Sequence, residues 1–103
     1  MATVVSKLQQ GHLEVAVSGR CDFSILKDFQ ALYCANSAST ISSVTIDLKR
    51  SEHMDSSGMG LLLSLKKELQ LDPGSIELIN CRPHIVAALL AARLDHFFKV
   101  TLA

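Results

Sequence analysis

One segment concentrates residue types able to do chemistry: His53-Met54-Asp55-Ser56-Ser57-Gly58-Met59-Gly60. A carboxylate stands beside two adjacent hydroxyls, and two glycines follow. The β-branched run Val44-Thr45-Ile46-Asp47-Leu48 precedes the segment, and an apolar periodic stretch from Leu61 follows it, so it lies where a strand and its connector enter a helix. Helix entrances present unpaired backbone N–H groups and the positive end of the helix dipole. Two roles fit these residues. In one, Asp55 or Ser56 caps the helix, as both residue types prefer, and the glycines serve tight packing. In the other, both hydroxyls are accessible and Gly58, Met59 and Gly60 form a bare turn that a second macromolecule can approach at the backbone. Glycine costs about 1 kcal/mol relative to alanine inside a helix, so two of them in one first turn require a reason of either kind.

Other chemistries fit less well. Gly58-Met59-Gly60 begins like a dinucleotide-binding turn, but the third glycine position is Leu63, and the chain is too short for two nucleotide-binding halves. No G-x-x-x-x-G-K-[ST] loop occurs. A serine hydrolase would need a G-x-S-x-G elbow, which is absent, and His53 and Asp55 are too close in sequence to serve Ser56 or Ser57 as base and orienter. His12, His53, His84 and His96 are scattered, with no C-x-x-C or H-x-x-x-H pair. No metal site, cofactor or catalytic residue is therefore expected. Cys21, Cys34 and Cys81 are odd in number and far apart, which argues for a reducing, cytoplasmic setting and for small buried fillers. Lys66-Lys67 fits a solvated helix face.

The elements that must position the segment follow from pattern. Residues 3–8 and 12–18 are predicted strands joined by a turn at Gln10-Gly11; Leu13, Val15 and Val17 alternate with Glu14 and Ala16, and Gly19 is expected to end the second strand. Asp22 is an N-cap for a helix over about residues 23–35, with Phe23, Leu26, Phe29 and Leu32 at helical spacing. Asn36 to Ser43 is a polar loop. Val44–Leu48 is a strand and Lys49–His53 a polar connector. The helix that follows runs to Leu71, with Met59, Leu62, Leu65 and Leu69 on one face. Asp72-Pro73-Gly74 is a turn, residues 75–80 a strand, Pro83 the first position of a helix over 83–92, and residues 97–102 a last strand. The order is ββαβαβαβ. Strand–helix–strand units imply parallel pairs, so the fold class is α/β, a small mixed sheet of four to five strands with three helices.

Composition sets the outer limits. The chain has 103 residues, which predicts one domain spanning residues 1–103. An apolar content of 49% is enough for a core and excludes a disordered or low-complexity chain. Ten basic and ten acidic side chains leave no net charge, against the basic excess expected of a nucleic-acid binder. The longest apolar run, Ile85 to Ala92, falls far short of the roughly 20 residues that cross a bilayer, so no membrane insertion is expected. Met1 to Lys7 does not have the pattern of a signal peptide. No spare apolar stripe is expected once the helices have packed, which predicts a monomer.

Val44–Leu48 followed by Met54-Asp55-Ser56-Ser57-Gly58-Met59-Gly60-Leu61-Leu62 resembles the signature of STAS domains, and most closely that of bacterial anti-sigma factor antagonists. Gly19-Arg20-Cys21-Asp22 is similar to the family's G-x-x-D before its first helix, although Cys21 stands where a larger aliphatic residue is usual. Arg82-Pro83 with Ile85 and Leu89-Leu90, then Leu94 to Val100, resembles the third helix and last strand. The resemblance implies that Ser56 is the phosphoacceptor of a cognate serine kinase, often itself the anti-sigma factor, and that a phosphoserine phosphatase resets it. It implies a partner surface of Asp55, Ser57, Gly58, Met59 and Gly60, with Asp22 as a second acidic position. It also implies two other outputs: a partner switch controlling surface polysaccharide or biofilm without a sigma factor, and a constitutive subunit of a lipid-transport complex. Members of the latter kind often carry threonine where Ser56 stands. The family commonly adds a C-terminal helix; the sequence ends at Leu102-Ala103, so a partner surface on that helix is not expected.

Overall fold

A computed structural model describes residues 2–34 and 41–102. Strand β1 (Thr3–Gln9) pairs antiparallel with β2 (His12–Cys21) through a two-residue turn. Gln10 and Gly11 both have positive φ, at 51° and 79°. That geometry matches the right-handed twist of the flanking strands. The chain then makes a 3-10 turn (Phe23–Ile25) and helix α1 (Leu26–Cys34). Strand β3 (Ser43–Met54), helix α2 (Ser56–Glu68), β4 (Ile76–Cys81), α3 (Pro83–Ala91) and β5 (Lys99–Leu102) follow. Sheet order is β1-β2-β3-β4-β5, and every pair after the first is parallel. The expected order and mixed sheet are both present.

One sheet face is buried and the other meets solvent. Leu13, Val15 and Val17 of β2, Val44, Ile46 and Leu48 of β3, and Ile76 and Leu78 of β4 are buried, whereas Glu14 and Ala16 are exposed. The helices supply Ile25, Phe29 and Leu32, then Leu61, Leu62, Leu65 and Leu69, then Ile85 and Leu89 to the same core. Leu61 joins Leu62, Leu65 and Leu69 in burial, and Met59 is half-buried and packs against the core. Cys21 and Cys81 are buried fillers, and burial pushes their thiols up to about 12 and about 11. The side chain of Cys34 and most of the predicted polar loop, residues 36–40, lie outside the described residues.

Several boundaries differ from the sequence expectation. Helix α2 ends at Glu68 rather than Leu71, and Gln70 beyond it takes a positive φ of 54°. Gly19 does not end β2. It adopts φ 82° between two register shifts, and the strand continues to Cys21. The fully buried Ser51 hydroxyl donates to the Gly19 carbonyl at 3.2 Å and so holds the bulge against β3. Lys49–His53 is not a connector. It pairs with the end of β2 (Ser18 with Arg50, Gly19 with Ser51, Arg20 with His53) as a two-stranded arm that runs past β4. Its polarity reflects exposure, and Ser51 and Met54 still point inward. β5 begins at Lys99, because the Phe97 and Phe98 N–H groups both donate to the Leu94 carbonyl in a turn.

Candidate functional site

The arm formed by the ends of β2 and β3 delivers two acidic turns side by side. After Cys21, Asp22 caps the 3-10 turn: one carboxylate oxygen accepts from the Ser24 N–H (3.0 Å) and the Ser24 hydroxyl (2.5 Å), the other from Arg20 Nε (3.2 Å). After Met54, Asp55 caps α2. Its Oδ1 accepts from the Gly58 N–H (3.0 Å) and from the Ser57 hydroxyl (2.7 Å). Extended backbone at both aspartates allows the side chain to reach back over the first turn, as an N-cap requires. Cys21 pairs with Met54 in the sheet, so the two caps lie close enough for the Asp22 charge to act on Asp55.

Both carboxyls are held below the usual carboxylate range. At Asp55 the Ser57 hydroxyl is the main cause and the Gly58 N–H the next; at Asp22 the Ser24 hydroxyl leads, followed by the Ser24 N–H. A carboxyl whose folded pKa is depressed stabilises the fold above its unfolded pKa, about 3.9, and that contribution disappears as pH falls through the folded value. Asp55→Asn keeps a good capping side chain but cannot titrate. Denaturant midpoints measured at pH 7 and pH 3 should therefore fall less in Asp55→Asn than in the wild type. Equal falls would remove Asp55 from the acid transition.

The two hydroxyls of the segment are not equivalent. Ser57 is half-buried and its hydroxyl is committed to Asp55; Ser56, the first residue of α2, is exposed and its hydroxyl is uncommitted among the described residues. The glycines divide as well. Gly58 is buried, and a Cβ there would lie 2.0 Å from the Cys21 carbonyl oxygen and 3.2 Å from its Sγ. A Cβ on Gly60 would meet nothing within 4 Å. Tight packing accounts for Gly58, and an open turn surface describes Gly60. Sequence reasoning missed the contact between Gly58 and Cys21, although Cys21 was conspicuous as a small residue at a usually larger position. It also missed the exposure of Phe23.

A cleft of about 910 Å³ is lined by Ser18, Arg20, Asp22, Ser24, Arg50 and Glu52 among others, and Ser56 is not part of its lining. His12 lies between the Ser43 and Thr45 hydroxyls (2.6 and 3.0 Å), and the Glu52 carbonyl accepts from His84 Nε2 at 2.8 Å. Among the described residues no three His, Cys, Asp or Glu side chains converge as a metal site, and no helix is long and apolar enough to cross a membrane.

A mixed sheet with one helical layer, and an acidic cap followed by an exposed serine at the entrance to α2, define the class. The family described as "Mlab, STAS domain" matches residues 5–102, and the chain belongs to the STAS domain family. It is 30% identical over 89 residues to a STAS-domain containing protein of Pseudomonas aeruginosa (strain UCBPP-PA14), covering 86% of this chain and 87% of that one. Among solved structures, an anti-sigma factor antagonist from Mycobacterium paratuberculosis superposes with TM-score 0.79 at 20% identity, covering 100% of this chain and 87% of its own. The anti-sigma factor antagonist SpoIIAA is similar in its unphosphorylated form (TM-score 0.70, 19% identity, 100% and 88% covered). The phosphorylated form of SpoIIAA from Bacillus is similar too (TM-score 0.70, 17% identity, 95% and 90% covered).

Proposed function

We propose that the protein is a phosphorylation-controlled regulator of the anti-sigma factor antagonist type. With Ser56 unmodified it binds a cytoplasmic serine kinase of the anti-sigma factor kind; phosphorylation of Ser56 releases that partner, and a phosphatase restores binding. The observation that carries this reading is the contrast between the exposed, uncommitted Ser56 hydroxyl and the Ser57 hydroxyl tied to Asp55. A kinase requires an accessible hydroxyl, and of the two serines Ser56 offers one that is not already bonded to Asp55. Asp55 contributes by shaping the turn and by placing a carboxylate beside the acceptor; Met59 and Gly60 extend the surface along α2, and Gly58 lets the turn sit against β2. Support also comes from the likeness to SpoIIAA, which has been solved with and without phosphate.

The test is intact mass with peptide mapping of the protein purified from its own host, beside Ser56→Ala and Ser57→Ala. One phosphate on Ser56, lost only in Ser56→Ala, is expected. Phosphate on Ser57 would keep the switch and overturn the residue assignment. No phosphate in any growth condition would sink the switch and favour a constitutively docked subunit, as in lipid-transport assemblies.

A further inference from the structure

The chain has four phenylalanines, one tyrosine and no tryptophan. Phe29 and Phe98 are buried in the core, and the ring of Phe97 lies under the Lys66 ammonium, 5.9 Å from its centroid. Phe23 does neither: it is 67% exposed, more than any other large apolar side chain among the described residues. Its position is not loose. The 3-10 turn that carries it is capped by Asp22, pinned on one side by buried Cys21 and on the other by buried Ile25, and packed against α2. The ring is thus presented by a fixed turn next to the Ser56 helix entrance. Half-buried Leu26 of α1 and Met59 and Leu63 of α2 belong to the same packed pair of helices, and Gly60 leaves the adjoining surface bare.

Charge selects the occupant. Asp22 is paired with Arg20, whereas Asp55 beside it has no salt bridge among the described residues, so the uncompensated charge at this surface is the Asp55 carboxylate. A second copy meeting it through a two-fold contact centred there would set that carboxylate against its own counterpart. An anionic bilayer would be repelled by it. A convex aromatic ring also offers no enclosure to a small molecule, which needs a concave site. A protein with an apolar socket and basic side chains around it satisfies both the ring and the Asp55 carboxylate, and exposed aromatic anchors of this kind carry much of the energy in protein interfaces.

We propose that Phe23 is the anchor of the protein contact around Ser56, filling an apolar socket bordered by basic side chains on the partner. The proposal rests on the reading of the Ser56 face as a docking surface. Phe23 acts there as a specificity-determining residue, separate from the residue that is modified.

The experiment places the photo-crosslinking residue benzoylphenylalanine at position 23 and, as a control, at position 97, in the full chain expressed in its host. The protein crosslinked from position 23 is identified, purified and titrated with wild type, Phe23→Ala, Phe23→Leu, Phe97→Ala and Ser56→Asp. The expected result is an adduct from position 23 and none with that protein from position 97. Phe23→Ala should weaken binding at least about 30-fold, Phe23→Leu should retain most of it, and Phe97→Ala should stay within about threefold. Thermal midpoints of the Phe23 variants should match the wild type within about 3 °C, since an exposed ring contributes little to the core. No adduct from position 23, or Phe23→Ala binding within about threefold of wild type, overturns the proposal. Weakening by Phe23→Ala with full binding by Ser56→Asp upholds the anchor and sinks the switch. The reverse pattern upholds the switch and sinks the anchor.

Discussion

Gly58→Ala should lower the thermal midpoint by about 12–24 °C, equivalent to about 3 kcal/mol in a domain of this size. The reason is a contact with backbone rather than with a flexible side chain. The new methyl carbon would lie 2.0 Å from the Cys21 carbonyl oxygen and 2.7 Å from its carbonyl carbon. Relief therefore requires α2 to separate from the end of β2. That movement would disturb the Asp55 cap and the Leu61–Leu62 packing together. Gly60→Ala is the matched control. It lies in the same helix, meets nothing within 4 Å, and exchanges glycine for the best helix former. It should raise the midpoint by about 4–8 °C, corresponding to about 1 kcal/mol. Differential scanning calorimetry of the two variants decides the matter. A mild effect of Gly58→Ala would mean that the close approach of α2 to β2 is not a constraint on the fold.

Phosphate on Ser56, or its mimic Ser56→Asp, should leave the protein folded and weaken the proposed kinase complex at least about 100-fold, close to 2.7 kcal/mol. The fold tolerates the charge because Ser56 is exposed at the N-terminus of α2, where N–H groups and the helix dipole favour an anion. Opposing this, Asp55 is already ionised beside it and Asp22 lies nearby, so the net change in thermal midpoint should stay within about 5 °C. The complex has no such tolerance. In the proposed interface a dianion would be desolvated next to Asp55, which is committed to its cap and cannot turn away without freeing the Gly58 N–H. Calorimetric titration of the purified kinase with wild type, phosphorylated protein and Ser56→Asp reads the effect. Equal affinities with intact folding would eliminate phosphate as the release signal.

Much of this molecule was legible because its signals are local. Alternation at Leu13, Val15 and Val17, the turn at Gln10-Gly11, the capping aspartates and Pro83 at a helix start each express a backbone preference that a few adjacent residues set. The element order and the parallel pairing follow from those, because short right-handed crossovers leave few other arrangements. Failures came where a residue's role depends on a partner distant in sequence. Lys49–His53 is polar enough for a connector, yet it is strand because the end of β2 lies alongside it. Gly19 has the look of a terminator, yet Ser51, 32 residues away, holds it as a bulge.

The candidate site divides along the same line. A capped helix opening at Asp55-Ser56 and an acidic turn ahead of the first helix at Asp22 are legible in the chain alone, since capping is an interaction over three residues. Packing settles the rest: the two turns adjoin, Gly58 is closed by Cys21 while Gly60 stays open, Ser56 rather than Ser57 keeps an exposed hydroxyl, and Phe23 faces solvent. Each of these depends on how closely the end of β2 approaches α2, a distance that arises from sheet register and helix packing and is written in no single stretch of the chain.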